Sequence, residues 1–100
     1  MNRFEDYEER RRVYLNALCR FGDRHQMNIA IEEMAECTQA ICKIKRGGQD
    51  FTHLAEEVAD VLVCMEQLRM MFNIDELVQA FMHQKVERLD RNLKKDAYDG

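Results

Sequence analysis

The sequence has no proline, no tryptophan and only four glycines in 100 residues. Without proline it lacks the residue that most firmly breaks a helix. The glycines stand only at 22, 47, 48 and 100, so few points remain at which a helical chain would be cut. No apolar run approaches the ~18 residues that a membrane span needs. The opening Met1-Asn2-Arg3-Phe4-Glu5-Asp6 is followed by charge rather than by the apolar core of a signal peptide. The chain therefore reads as cytoplasmic, without a membrane partner. A net charge of −4 and a pI near 5.4 argue against a nucleic-acid binder. Cys19, Cys37, Cys42 and Cys64 form no CxxC and no finger-like spacing with histidine. Buried reduced thiols are the favoured reading for them, ahead of a zinc site.

What is present points to a folded, single-domain chain, 1–100. It is 46% hydrophobic and 34% charged, which is not a disordered composition. A chain this short buries only about two thirds of its unfolded surface. Its apolar residues line more than one face of several helices, so a partner subunit is expected.

Cutting at the glycines leaves four helices and no strand pattern, an all-α fold. The first covers about Phe4 to Phe21, with acids early and bases late as the helix dipole prefers. Phe4, Tyr7, Tyr14, Leu18 and Phe21 are its expected buried face, and Gly22 ends it. The run Arg10-Arg11-Arg12 has acids one turn away and reads as a solvated face. The second helix opens at Asp23, which forms a capping-box pattern with Gln26, and runs to about Arg46. Gly47-Gly48 breaks it. The third starts near Asp50 or Thr52 and runs to about Phe72. Asn73 is the expected cap of the fourth, which reaches about Lys94 and leaves a frayed tail at 94–100.

The most informative stretch lies between Ile31 and Asp60. Glu33 with Glu36, and Glu57 with Asp60, are carboxylate pairs at i and i+3, so each pair shares a helix face. In an antiparallel hairpin centred on Gly48, Glu36 and Asp60 lie twelve positions from the turn, with Glu33 and Glu57 one turn to either side. Four facing carboxylates raise one another's pKa values unless a cation intervenes. Oxygen ligands of this kind suit Mg²⁺ or Mn²⁺. A solvated acidic face is the alternative. Against it, Asp60 sits inside Val58-Ala59-Asp60-Val61-Leu62, where a carboxylate without a cation is unfavourable.

Glu32-Glu33-x-x-Glu36, a gap of twenty residues and Glu57-x-x-Asp60 together resemble the signature of the MazG-type all-α nucleoside triphosphate pyrophosphohydrolases. The context agrees: Phe21-Gly22, His25-Gln26, Ala30-Ile31-Glu32-Glu33, Glu56-Glu57-Val58-Ala59-Asp60, then Lys85 and Arg88. The resemblance spans about Phe21 to Leu93. It implies a four-helix bundle with a central antiparallel hairpin, completed by oligomerisation as a homodimer or homotetramer. It also implies Mg²⁺-dependent cleavage of a nucleoside triphosphate to the monophosphate and pyrophosphate. Glu33, Glu36, Glu57 and Asp60 would be the metal ligands. Glu32 or Glu56 is a candidate to activate the attacking water, and Lys85 and Arg88 are candidates for the phosphates. Gln26 is a candidate for the base, with His25 and His53 nearby and Phe21, Tyr14 or Phe4 to stack.

Two other readings compete. A di-iron carboxylate bundle needs Glu-x-x-His pairs, and no histidine stands three after Glu33, Glu36 or Glu57. A non-catalytic helical interaction or nucleotide-binding module with an acidic face would bind without turnover.

Overall fold

The computed structural model describes residues 3–99. Among them are four α-helices and no strand: α1 (Tyr7–Phe21), α2 (Asp23–Lys45), α3 (Phe51–Met71) and α4 (Asp75–Asp99). The all-α expectation holds, and the helix ends show where local chemistry departs from it. Helix α1 starts three residues later than expected, because the Asp6 carboxylate accepts the Glu8 backbone N–H at 3.0 Å. Phe4 belongs instead to a short 3-10 turn, Arg3–Glu5. Gly22, at φ +88°, ends α1 and immediately precedes α2.

The expected capping box is not formed. Asp23 is already the first helical residue and its carboxylate accepts the Arg24 N–H at 2.7 Å. Gln26 is turned inward and is buried. At the other end of α2, Gly48 N–H donates to the Lys43 carbonyl and Gly47 N–H to that of Ile44, each at 2.9 Å. This is the paired bonding of a Schellman turn, with Gly47 at φ +99° in its left-handed position. Asp50 then caps α3 by accepting the His53 N–H at 3.0 Å.

Asn73 does not cap α4. At φ +52° it is the left-handed residue that closes α3, with its N–H on Met70 O and the Ile74 N–H on Arg69 O. Asparagine tolerates that conformation better than most side chains, which is why it serves there. Helix α4 runs to Asp99, past the expected end near Lys94.

Helices α2 and α3 pack along each other as an antiparallel hairpin, α1 lies against both, and among the described residues α4 packs only on α3. The chain measures 54 × 35 × 33 Å with a radius of gyration of 17.1 Å, against ~13 Å for a compact chain of this length. Buried apolar residues are few: Tyr14, Ala30, Ala40 and Cys64. Phe4, Tyr7 and Phe21, expected inside, are exposed. Of the cysteines only Cys64 is buried, and Cys19 is exposed. All four are free thiols.

The arginine run is not uniformly solvated either. Arg12 meets Glu9 at 2.9 Å on the surface. Arg10 forms two bonds, of 3.0 and 2.9 Å, to the Glu66 carboxylate on α3. Tyr14 donates its hydroxyl to the same carboxylate at 2.5 Å. Among the described residues no helix is long and apolar enough to cross a membrane.

Candidate functional site

The hairpin brings acids from α2 and α3 together. Glu33, Glu36 and Glu57 each place a carboxylate oxygen within 4.8 Å of the others. Asp60 stands beside Glu33, close enough for its charge to act on it. The register differs from the symmetric expectation. Glu36 faces Glu57 and Glu33 faces Asp60, so the symmetry point falls between Arg46 and Gly47. The three non-helical residues Gly48, Gln49 and Asp50 lie on the α3 side of the turn. An extended residue advances the chain about 3.3 Å against 1.5 Å in a helix, so α3 climbs faster and Glu57 reaches the level of Glu36.

Burial is uneven across the group. Glu57 is buried, Glu33 is half-buried, and Glu36 and Asp60 are exposed. Glu33 Oε2 and Glu57 Oε2 are both sealed from solvent without a hydrogen-bond partner. The other side of Glu57 faces His53, with Oε1 3.8 Å from Nε2. The Glu33 carboxyl is held above its ordinary pKa, chiefly by burial, then by the charges of Glu36 and Asp60, hydrogen bonding with Asp60, and the charge of Glu57. An orphaned buried carboxylate oxygen is costly. Here two of them belong to one cluster, and the three ligand atoms that cluster offers are carboxylate oxygens. The residues present fit a hard divalent cation.

Next to the acids lies a cavity of about 320 Å³. From α2 it is lined by Gln26, Ile29 and Glu33, and from α3 by Asp60, Cys64 and Gln67. Phe21 and His25 close one side, with ring centroids 5.1 Å apart at 32°. Arg20 lies over the Phe21 ring, 5.5 Å from its centroid. The Cys64 thiol is pushed up by burial and by the neighbouring Glu33 and Asp60 charges, so it stays a protonated wall group.

The other candidates are distributed as follows. Glu32 and Glu56 are exposed beside the acid group and are not among its three clustered carboxylates. His25 and Gln26 line the cavity, whereas His53 lines a separate one at the hairpin turn with Lys43 and Arg46. Of the possible stacking rings, only Phe21 borders the cavity. Tyr14 is engaged with Glu66, and Phe4 lines a separate cavity with Arg10, Val13 and Tyr14. Lys85 and Arg88 are exposed on α4, which contributes nothing to the cavity lining.

Sequence reasoning missed Gln67. The available signal was its place seven residues after Asp60, mirroring Gln26 seven before Glu33.

A family model described as the MazG nucleotide pyrophosphohydrolase domain matches residues 21–93. No curated protein and no solved structure matches the chain.

Proposed function

The chain belongs to the MazG nucleotide pyrophosphohydrolase domain family, and from that membership we propose that it is a Mg²⁺-dependent hydrolase cutting (d)NTPs to (d)NMP and pyrophosphate. The observation that carries the reading is the pair of sealed, unpartnered oxygens of Glu33 and Glu57 inside a three-carboxylate cluster. As an interaction surface this arrangement makes no sense, since its most costly charges face inward. As a cation site it is what the charge requires.

Glu33, Glu36, Glu57 and Asp60 would hold the ion, Mg²⁺ or Mn²⁺. When bound, such an ion neutralises triphosphate charge and lowers the pKa of water. The chain's own residues then do the rest. The four negative side chains would hold that cation and, by their own charge, repel a triphosphate that comes without one. Glu32 or Glu56, exposed next to the cluster, takes the proton of the water attacking the α-phosphorus. The bond to the bridging oxygen breaks and pyrophosphate leaves. Gln26 contacts the nucleoside in the cavity. Lys85 and Arg88 sit on a helix that projects from the hairpin, so they serve the phosphates of a site on a second copy, in a homodimer or homotetramer.

Product analysis of an NTP and dNTP panel with Mg²⁺ tests this, comparing the wild type with Glu36→Gln. Monophosphate plus pyrophosphate, lost in the variant, is the expected result. Diphosphate plus orthophosphate, or turnover that survives the substitution, would refute it.

A further inference from the structure

The cavity beside the acids has a second polar end. Gln26 stands two helical turns before Glu33 on α2, and Gln67 two turns after Asp60 on α3. Since Glu33 faces Asp60 in this antiparallel pair, the two glutamines face each other at one level, about 10 Å along the hairpin from the acids. That span accommodates a ribose and a base between them.

Gln26 is only 7% exposed, yet its carboxamide makes no hydrogen bond among the described residues. Its nitrogen and oxygen are not among the side-chain atoms sealed from solvent, so they reach the cavity that Gln26 lines. Gln67 borders the same cavity, and its carboxamide likewise has no hydrogen-bond partner among the described residues. The Gln26 amide is nearly enclosed and that of Gln67 is half-buried, and with both lining one cavity their donors and acceptors are open to a ligand there. No lysine or arginine lines it, so the ligand's inner end is neutral. Phe21 and His25 supply an aromatic wall on which a flat ring stacks.

We propose that Gln26 and Gln67 are the specificity-determining pair of this site. They read a neutral nucleobase edge that presents an adjacent donor and acceptor, as carboxamides do bidentately. The inference rests on the hydrolase reading above and names what its substrate must carry: a base whose donor–acceptor edge is free. A base alkylated on that edge is rejected.

The test compares kcat/KM over the four dNTPs, over a preferred dNTP N-alkylated on that edge, and over the base-less deoxyribose 5′-triphosphate. Wild type is set against Gln26→Leu and Gln67→Leu, with circular dichroism to check folding. Each substitution is expected to lower kcat/KM about tenfold on the preferred nucleotide, the loss of one such hydrogen bond. Discrimination among bases should collapse, and turnover of the base-less triphosphate should stay unchanged. A uniform loss on every substrate, or unchanged discrimination, overturns the proposal.

A separate measurement keeps the two readings distinguishable. With chelator present, nucleosides without phosphate are titrated against ¹⁵N-labelled protein and the side-chain amide signals of Gln26 and Gln67 are followed. Saturable shifts in both, with no turnover of any triphosphate, retain the pair and reject the hydrolase. Turnover without such shifts rejects the pair and retains the hydrolase.

Discussion

Glu33 and Glu57 each hold one oxygen inside the hairpin with nothing among the described residues to bond to, which predicts a stability that depends on ions. Without a divalent cation, the cluster repels itself and the buried Glu33 carboxyl resists ionising. Glu33→Gln removes one charge from the cluster at similar volume. In chelator its Tm should therefore rise above that of the wild type. Adding Mg²⁺ should reverse the order, raising the wild type by several degrees and the variant little. Thermal melts with and without Mg²⁺ check this, and an unchanged order in both conditions would contradict the cation site.

The Arg10–Glu66–Tyr14 group predicts a second residue-scale effect. Glu66 is held below the ordinary carboxylate range, first by the Arg10 hydrogen bonds. A depressed pKa contributes stability above the unfolded value, and that stability is lost as pH falls through the folded one. Tyr14 is pushed up to about 12, first by burial and then by its bond to Glu66. A raised pKa contributes stability below about 10, and that is lost as pH rises toward 12. Denaturant midpoints against pH should show both slopes in the wild type. Glu66→Gln should cost about 1–3 kcal/mol at neutral pH and flatten the acid limb, and Tyr14→Phe should flatten the alkaline one.

The acids were legible in the sequence because i, i+3 spacing survives any register of the hairpin. The Arg10–Glu66 pair was not. Its partners lie 56 residues apart, and acids one turn from Arg10 offered a nearer explanation.

At the scale of elements, the turn between α2 and α3 decides which acids meet. Gly47 holds a positive φ that side chains resist, and a Cβ on Gly48 would lie 2.9 Å from the Lys43 backbone carbonyl oxygen, which cannot give way. Gly47→Ala should destabilise by about 1–2 kcal/mol. Gly47→Asn should cost less, since asparagine tolerates that region. Gly48→Ala must break the Gly48 N–H bond to Lys43 O and should weaken Mg²⁺ binding as well as stability, because the turn sets the pairing of Glu36 with Glu57. Urea midpoints together with Mg²⁺ titrations separate the three variants.

The same turn shows why the helices were readable and their register was not. Apolar periodicity and glycine placement mark helices directly, whereas counting from Gly48 assumes equal rise on both sides. The cap assignments failed for a related reason. Asp23 and Asn73 have the residue types of helix starts, but Gly22 already takes the turn before α2, and Asn73 is used to end α3 instead.

At the scale of the molecule, the chain leaves a large apolar surface uncovered, which predicts association with a second copy. Among the described residues no side chain is fully buried, and Leu77, Phe81, Met82, Val86, Leu89 and Leu93 on α4 are all more than half exposed. They recur at helical spacing on a helix that, among the described residues, packs only on α3. Contiguous apolar faces of this size mark association, and a surplus of such faces was already visible in the sequence. What the sequence did not show is that one helix carries so much of it, because periodicity counts apolar faces without saying which are covered. Light scattering should give a mass at least twice 11.9 kDa. Phe81→Glu with Val86→Glu should shift it to the monomer and lower the Tm. Because Lys85 and Arg88 lie on the same helix, turnover per chain should fall with it and should not return when the Glu33–Glu57 cluster is saturated with Mg²⁺. A double variant that stays oligomeric would place the interface elsewhere. A monomer with full turnover would mean that each chain carries a whole site and that α4 serves assembly alone.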